Sequence, residues 1–496
     1  MTFTRRSALQ KLSLAGAAAL SSACHSSMSH TRRPNILFVL TDDQSVTEMS
    51  CYGNTILQTP NMDRLAAEGT RFTNCFVTNS LCAPSRASML TGCYSHITGV
   101  RGNSEAPGSI EKIDPALPTY PRLLQKAGYR TGAVGKWHLQ TDPVGFDYSC
   151  ILPGQGVYFD PEFIENGTRR KIQGYVTDIT TDLALNFLAK NDSQPFCLLY
   201  SHKAPHRPFK PAPRHAKLFD EIELPYPETY NDDYATRKIA REAVDMRFDV
   251  SLAGDYPDLP KNLSPAERKK WLFQRFVKDH HRAVYGVDEN LGRVLRYLDQ
   301  RNLAQDTLIL YTTDNGFFLG DHGWYDKRFM YEPSLRLPLL IRYPRRGAAG
   351  KVSSEMVLNI DFAPTILDFA GIPIPDVMQG RSLRPLVEGA SPQDWRHSIY
   401  YEYFENSWLA LKNYKPDPND PASQYLTRHR VVPHRGVRTE RHKLIQYYGE
   451  GDYWELFDLT KDPNELNNVY GNHAYAKLTE DLKHELARLR VQYKDQ

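Results

Sequence analysis

The sequence predicts an α/β fold in which helices flank a large mixed sheet, followed by a smaller α+β subdomain. Short β-branched or apolar runs alternate with helical patterns, which is typical of a largely parallel sheet. The 496 residues, 41% hydrophobic and 24% charged, suffice for a large core and exclude a disordered or coiled-coil chain. We therefore predict a large domain over residues 31–386 and a C-terminal subdomain over residues 387–496.

Residues 1–30 have the order of an export signal. Arg5-Arg6 precede an apolar stretch from Leu12 to Leu20 and small residues before Cys24. The arginines resemble a twin-arginine signal, and Cys24 is placed like a lipoprotein cysteine, with processing without a lipid as the alternative. The stretch is too short for a membrane-spanning helix. We expect an exported protein that is periplasmic, secreted or a cell-surface lipoprotein anchored at Cys24.

Capping residues, prolines and glycines delimit three helices of the large domain. Proline at the start of a helix and glycine just past its end are common boundaries. The predicted helices lie between Thr59-Pro60 and Gly69, between Thr119 and Gly128, and between Asp361 and Gly371.

Acidic side chains follow two predicted strands. The strand 35–40 runs into Asp42 and Asp43, and the strand 307–311 runs into Asp314 and Asn315. In an open α/β sheet the site lies beyond the carboxyl ends of the strands, so these oxygen ligands are expected to converge on one hard cation such as Ca²⁺ or Mg²⁺. The alternative is that the aspartates only cap the following turns.

Basic side chains follow two further predicted strands. Lys136 and His138 come after the run 130–135, and His206 follows the run 195–200. Lys136 and His138 project to the same side of an extended segment, which suits binding an anion and moving a proton beside it. Each histidine alone is more often a structural residue.

Cys82 lies where a loop turns into a helix, with Pro84 near the first turn and Arg86 one turn further. A helix N-terminus holds anions, so a reactive thiolate is one hypothesis for Cys82. The sequence has seven cysteines, and an odd number in an exported chain suggests one disulfide plus free thiols. A small buried side chain is the alternative for most of them.

Cys82-Ala-Pro-Ser-Arg86 followed by Leu90-Thr91-Gly92 resembles the signature of the type I sulfatases, whose cysteine is oxidised to formylglycine. The resemblance covers most of the chain, because the acidic and basic segments above and Lys327 follow in the family's order. It implies an alkaline-phosphatase-like scaffold. Residues 438–445 and 455–463 are similar to the family's C-terminal subdomain.

The resemblance also implies a mechanism for sulfate ester hydrolysis. Formylglycine at Cys82, hydrated to a diol, would attack sulfur with one hydroxyl and release sulfate through the other. The implied catalytic residues are Cys82, Arg86, Lys136, His138, His206 and Lys327, and the implied ligands of one Ca²⁺ are Asp42, Asp43, Cys82, Asp314 and Asn315. A formylglycine-generating maturation enzyme is the implied partner.

The stretch 314–332 resembles the bacterial carbohydrate sulfatases, especially N-acetylglucosamine-6-sulfatases. Asp321, His322 and Trp324 are candidates for holding a sugar, or alternatively shape their loop. The expected substrate is a sulfated polysaccharide, either a glycosaminoglycan or an algal polymer such as ulvan. The alternatives are a phosphate or phosphonate ester hydrolase on the same scaffold and a catalytically silent glycan binder. The net charge of +3 gives no indication of a nucleic-acid partner.

The C-terminal subdomain is predicted as an antiparallel sheet plus a helix. Strand-like residues begin at Tyr400 and recur over 438–448. Leu478, Leu482, Leu486 and Leu489 recur at helical spacing, with Asn472 before them as a candidate cap. This helix is expected to pack on the core.

Overall fold

The part of the chain that the computed structural model describes comprises residues 33–103, 111–190, 194–405, 431–448 and 451–495. The predicted export signal and Cys24 lie outside these residues. No helix in the described ranges combines the length and apolar character needed to cross a membrane.

A mixed sheet forms the centre of the large domain, as predicted. In chain order the strands are β1 (Asn35–Asp42), β2 (Thr70–Phe76), β3 (Arg130–Lys136), β4 (Tyr148–Leu152), β5 (Glu162–Glu165), β6 (Thr168–Lys171), β7 (Phe196–Pro205), β8 (Thr307–Thr313), β9 (Arg336–Arg342), β10 (Lys351–Ser353) and β11 (Val357–Leu358). Their order in the sheet is β10-β2-β9-β8-β1-β7-β3-β4-β5-β6, with β11 beside β2. The neighbours β8, β1, β7 and β3 are parallel, whereas β9 is antiparallel to β8 and β2.

The central strands are apolar on both faces because helices cover both sides of the sheet. All residues of β1 and β8 are buried. Along β1, Ile36 and Phe38 belong to one hydrophobic cluster, while Leu37 and Val39 belong to the cluster on the other face. Because successive side chains of a strand point to opposite faces, β1 contributes to both hydrophobic clusters.

The helices of the large domain confirm the boundaries predicted from caps and glycines. In chain order the helices are α1 (Pro60–Glu68), α2 (Cys82–Thr91), α3 (Ser95–Thr98), α4 (Tyr120–Lys126), α5 (Val176–Ala189), α6 (Lys238–Glu242), α7 (Phe248–Ser251), α8 (Pro265–Gln300), α9 (Glu332–Leu335), α10 (Phe362–Phe369) and α11 (Arg384–Val387). Thr59 and Gly69 flank α1, Thr119 precedes α4, and Asp361 precedes α10.

The C-terminal subdomain contains the predicted antiparallel sheet and helix. The sheet consists of β12 (Ser398–Tyr403), β13 (His434–Thr439), β14 (His442–Tyr447) and β15 (Tyr453–Asp458), and the helix is α12 (Ala476–Tyr493). Leu482, Leu486 and Leu489 are buried on one face of α12. Asn472 caps the 3-10 turn His473–Tyr475 that leads into α12, rather than α12 itself. The boundary near residue 386 stays a prediction.

The predicted disulfide is not formed among the described cysteines. Cys51, Cys75, Cys82, Cys93, Cys150 and Cys197 are all free thiols. Five of them are buried, so these positions fit the alternative of a small apolar side chain within the core.

Candidate active site

Four neighbouring parallel strands bring the predicted residues to one edge of the sheet. Asp42 is the last residue of β1, and Lys136 is the last residue of β3. Asp314 follows β8, and His206 follows β7. Because β8, β1, β7 and β3 are adjacent, their carboxyl ends deliver two acids and two bases to the same place.

Three carboxylates form a buried cluster at this edge. Ligand atoms of Asp42, Asp43, Asp314 and Cys82 all lie within 4.8 Å of one another. The backbone nitrogen of Asp43 donates to Asp314 Oδ1 at 3.3 Å, and Asn315 Nδ2 donates to Asp43 Oδ1 at 2.7 Å. Asp43 has a φ of 67°, in the left-handed region that non-glycine residues seldom adopt.

The protonation of these acids depends on their neighbours. Burial alone would raise the pKa of Asp42, but Lys136 and other cations outweigh it and hold that pKa well below its usual range. Burial raises the pKa of Asp43, which Lys327 only partly offsets. Burial and the charge of Asp42 raise the pKa of Asp314 to about 7. Burial and the mutual repulsion of the three acids therefore disfavour the ionised forms of Asp43 and Asp314.

Two lysines contact the acids of this cluster. Lys136 Nζ is hydrogen-bonded to Asp42 Oδ2 and donates to Gln155 Oε1 at 2.6 Å. Lys327 Nζ is hydrogen-bonded to Asp43 Oδ1 and lies 3.3 Å from Cys82 Sγ. Both lysines are buried, so their charges act in a medium that screens them little.

Cys82 is the first residue of α2 and is inaccessible to solvent. Its Sγ lies 3.4 Å from Asp42 Oδ1. Burial raises the pKa of the Cys82 thiol well above its usual value. The raised pKa disfavours a reactive thiolate at Cys82 in the unmodified chain.

Arg86 lies one turn along α2 and connects the strand ends. Its Nε donates to Asp314 Oδ2 at 2.9 Å, and one terminal nitrogen donates to the Lys136 carbonyl oxygen and to Ser201 Oγ, both at 2.9 Å. Arg86 is not a solvated surface residue, because it is only 4% exposed.

The two predicted histidines are neutral. His206 Nδ1 lies 2.8 Å from the Arg207 carbonyl oxygen, which fixes a proton on Nδ1, and its Nε2 lies 3.7 Å from Asp43 Oδ2. His138 is buried, and its Nδ1 has no hydrogen-bond partner among the described residues. Burial and the charge of Lys136 lower the pKa of both rings well below the usual value.

Sequence reasoning missed three residues at this edge. Gln155 accepts from Lys136, Ser201 accepts from Arg86, and Lys203 Nζ donates to the Gln155 carbonyl oxygen at 3.0 Å. Burial and Lys136 lower the pKa of Lys203 to about 7. The period of two along β7 could have indicated Ser201 and Lys203, since His202 between them turns its ring toward Tyr200 at 4.4 Å.

The loop residues Asp321, His322 and Trp324 are held in place by contacts with neighbouring residues. Trp324 is completely buried, and its ring stacks on Tyr234 at 5.4 Å and on Phe329 at 4.8 Å. His322 Nδ1 lies 2.6 Å from an oxygen of Asp232, and Asp321 accepts from the backbone of Leu319. These contacts support the alternative that the three residues shape the loop, and their role in holding a sugar stays a prediction.

The oxygen-rich cluster fits a divalent cation. Asp42, Asp43 and Asp314 offer carboxylate oxygens, and the buried Oδ1 of Asn315 has no hydrogen-bond partner among the described residues. Carboxylate and amide oxygens are the ligands preferred by hard cations such as Ca²⁺ and Mg²⁺. A cation among them would satisfy Asn315 Oδ1 and offset the repulsion between the acids.

Comparison with known proteins identifies the family. The sulfatase family model matches residues 34–372, and the model of the C-terminal domain of N-sulphoglucosamine sulphohydrolase matches residues 422–492. Members of the sulfatase family generally use formylglycine and a divalent metal.

Individual relatives match nearly the whole chain. An N-acetylglucosamine-6-O-sulfatase of Bacteroides thetaiotaomicron is 41% identical over 97% of this chain and 90% of its own. The N-acetylglucosamine-6-sulfatase of Homo sapiens is 31% identical over 88% of this chain and 81% of its own. A solved structure bound to its substrate D-glucosamine-2-N,6-O-disulfate has 41% identity and a TM-score of 0.84, covering 94% of this chain and 99% of that one. The chain therefore belongs to the sulfatase family and is a sulfuric ester hydrolase.

Proposed function

We propose that this enzyme removes the 6-O-sulfate from glucosamine or N-acetylglucosamine residues of a sulfated carbohydrate. The relatives with the highest identity named above act on such substrates, which supports this choice. The observation that carries the proposal is the position of Cys82 between three carboxylates and two lysines at the start of a buried helix.

Cys82 is proposed to be oxidised to formylglycine by a maturation enzyme, and one Ca²⁺ is proposed to bind beside it. The ligands would be Asp42, Asp43, Asp314, Asn315 and the modified residue 82, which agrees with the oxygen cluster. When bound, the cation and the hydrated aldehyde supply an acidified hydroxyl nucleophile and screen the sulfate from the carboxylates.

The surrounding cations bind and orient the sulfate group. Lys136 and Lys327 would donate to its oxygens, where charge changes as the ester bond breaks, and they already lie at hydrogen-bond distance from the acids. Arg86 holds the segment that begins at Cys82 in register with Asp314 through its bond at 2.9 Å. A singly charged sulfate ester suits a pocket with two buried lysines.

The histidines move protons. The Nε2 of His206 points toward the acid cluster, because its Nδ1 is bound to a carbonyl oxygen, so Nε2 is the atom that would protonate the departing sugar hydroxyl. The negative charge of a bound sulfate favours the protonated ring, which opposes the effect of Lys136 on its pKa. His138 would later accept a proton from the nucleophilic residue and so help to release sulfate.

The test is sulfate release from a set of defined esters by protein made in a host that matures sulfatases. We expect release from N-acetylglucosamine 6-sulfate, much slower release from the 3-sulfate, and no activity in Cys82→Ala. Faster hydrolysis of a phosphonate monoester than of every sulfated sugar would favour the alternative reaction on this scaffold.

The enzyme is also proposed to be exported and processed near Cys24. The order of charged, apolar and small residues before Cys24 supports this. The mass of the N-terminal peptide in the mature protein distinguishes a lipidated Cys24 from cleavage without a lipid, and an intact Met1 would contradict export.

A further inference from the structure

A groove of about 560 Å³ lies along the first half of α8, outside the acid cluster. The helix presents one face to it, because residues three and four apart lie on the same side. This face consists of Trp271, Gln274, Arg275, Lys278 and Arg282. The opposite wall is formed by Phe159 and by the segment that begins at Lys210.

The groove carries an excess of positive charge. Four basic side chains and two acidic ones line it. The acids are already engaged: Arg282 pairs with Asp220 and lies 2.7 Å from Asp279, which also accepts from Arg275 at 2.9 Å. Lys210 and Lys278 have no ion-pair partner among the described residues. Two uncompensated ammonium groups therefore face the same groove.

Aromatic rings stand next to these cations. Phe159 is 45% exposed, which is unusual for a phenylalanine. The centroid of its ring lies 5.6 Å from that of Tyr175. Trp271 is partly exposed on the facing wall. An exposed ring beside free ammonium groups suits a ligand that has both apolar C–H faces and negative groups, as sulfated sugars have.

Two short segments of the chain link one wall of the groove to residues of the active site. Gln155, which accepts from Lys136, is four residues before Phe159, a span of at most about 14 Å. His206 is four residues before Lys210, and Tyr158 beside Phe159 donates to the His206 carbonyl oxygen at 2.5 Å. The wall formed by Phe159 and the segment from Lys210 thus follows closely in sequence on residues of the active site.

We propose that this groove binds the sulfated saccharide units next to the one whose sulfate is cleaved. Lys210 and Lys278 would bind their sulfate groups, and Phe159 would pack on a sugar ring. The inference rests on the proposed function, because it requires a substrate longer than one sugar. It makes the enzyme a preferential hydrolase of sulfated oligosaccharide chains over monosaccharide sulfates.

The test measures the hydrolysis of two substrates by the wild-type enzyme and by a double variant in which Lys210→Glu and Lys278→Glu are combined. The matched control is Lys126→Glu, which alters an exposed lysine on α4 that is not part of the groove. For a sulfated tetrasaccharide ending in N-acetylglucosamine 6-sulfate, we expect kcat/KM of the double variant to be about tenfold lower than that of the wild-type enzyme. For the monosaccharide we expect kcat/KM to be unchanged. The loss should shrink at high salt, because the contacts are exposed ion pairs.

A second measurement does not depend on turnover. In a Cys82→Ala background, titration calorimetry with the same tetrasaccharide should show affinity weakened about tenfold by the groove substitutions and unaffected by Lys126→Glu. Equal affinity, or an equal loss of kcat/KM on both substrates with a lowered Tm, would overturn the inference. If the wild-type enzyme cleaves neither substrate, the proposed function fails, and the calorimetry still decides whether the groove binds the chain.

Discussion

At the scale of single residues, the active site consists of buried acids paired with buried cations. Lys136 is bonded to Asp42, and Lys327 is bonded to Asp43. Burying a charge without a partner is costly, so each lysine stabilises the ionised form of its acid. When a sulfate and a cation enter, the same lysines are already placed to bind the sulfate.

Replacing Lys327 by methionine should separate binding from folding. The methionine keeps much of the length of the side chain and removes its charge. We expect kcat to fall about 10²- to 10³-fold, as for the loss of one donor to a developing charge. Steady-state kinetics on N-acetylglucosamine 6-sulfate measures this, with Lys126→Met as the control. An unchanged kcat would show that Lys327 does not contact the reacting group.

At the scale of elements, the C-terminal sheet contacts the large domain through a buried acid. Glu455 on β15 accepts from Tyr331 at 2.8 Å and from Tyr447 at 3.1 Å. Burial raises the pKa of Glu455 to about 7, above its ordinary value of 4.5, despite these bonds. Between pH 4.5 and about 7 the acid is therefore mostly protonated in the folded protein and mostly ionised in the unfolded chain.

This difference makes stability depend on pH with a definite sign. Folding takes up a proton at Glu455 between pH 4.5 and about 7. The free energy of unfolding therefore falls as the pH rises through this window, and it loses nothing further to Glu455 above it. The total loss in the free energy of unfolding is about 3 kcal/mol, at 1.36 kcal/mol for each unit by which the pKa of Glu455 is raised. Glu455→Gln should raise stability at pH 8 and have little effect at pH 4.5.

Urea unfolding of both proteins at the two pH values checks this prediction. Glu221→Gln, at an exposed position, is the control and should change stability at neither pH. If Glu455→Gln and the wild-type protein differ in stability by the same amount at pH 4.5 and at pH 8, the proton is not bound at Glu455.

The sequence predicted most of what is local to each element. Asp42, Asp314, Lys136 and His206 were found because strands end where the chemistry of this fold is located. The stacking of Tyr234 on Trp324 was not foreseen, since the two residues are far apart in sequence and meet only in the folded protein. Gln155 was missed because no strand ends at it.

At the scale of the whole molecule, the proposed cation would connect elements that are far apart in sequence. Asp42, Cys82 and Asp314 belong to β1, α2 and the end of β8. A ligand that binds only the folded chain stabilises it, by about 2.7 kcal/mol at a concentration one hundred times its Kd. The fold of the large domain should therefore depend on metal.

Removing the metal should lower both Tm and activity together. We expect a chelator to reduce Tm by several degrees and to abolish sulfate release, and excess Ca²⁺ to restore both. Asp314→Asn should make Tm insensitive to Ca²⁺, because the third carboxylate is lost. Full activity and an unchanged Tm after exhaustive chelation, with no metal found by elemental analysis, would exclude a cation at this cluster.

The central claim is that Cys82 becomes the aldehyde that reacts with the sulfate ester. The measurement that tests it most directly is the mass of the tryptic peptide containing Cys82, from active protein purified from its own host. We predict a peptide in which one oxygen replaces sulfur and two hydrogens, and a fraction converted that rises in proportion to kcat across preparations. An intact thiol in fully active enzyme would contradict the account.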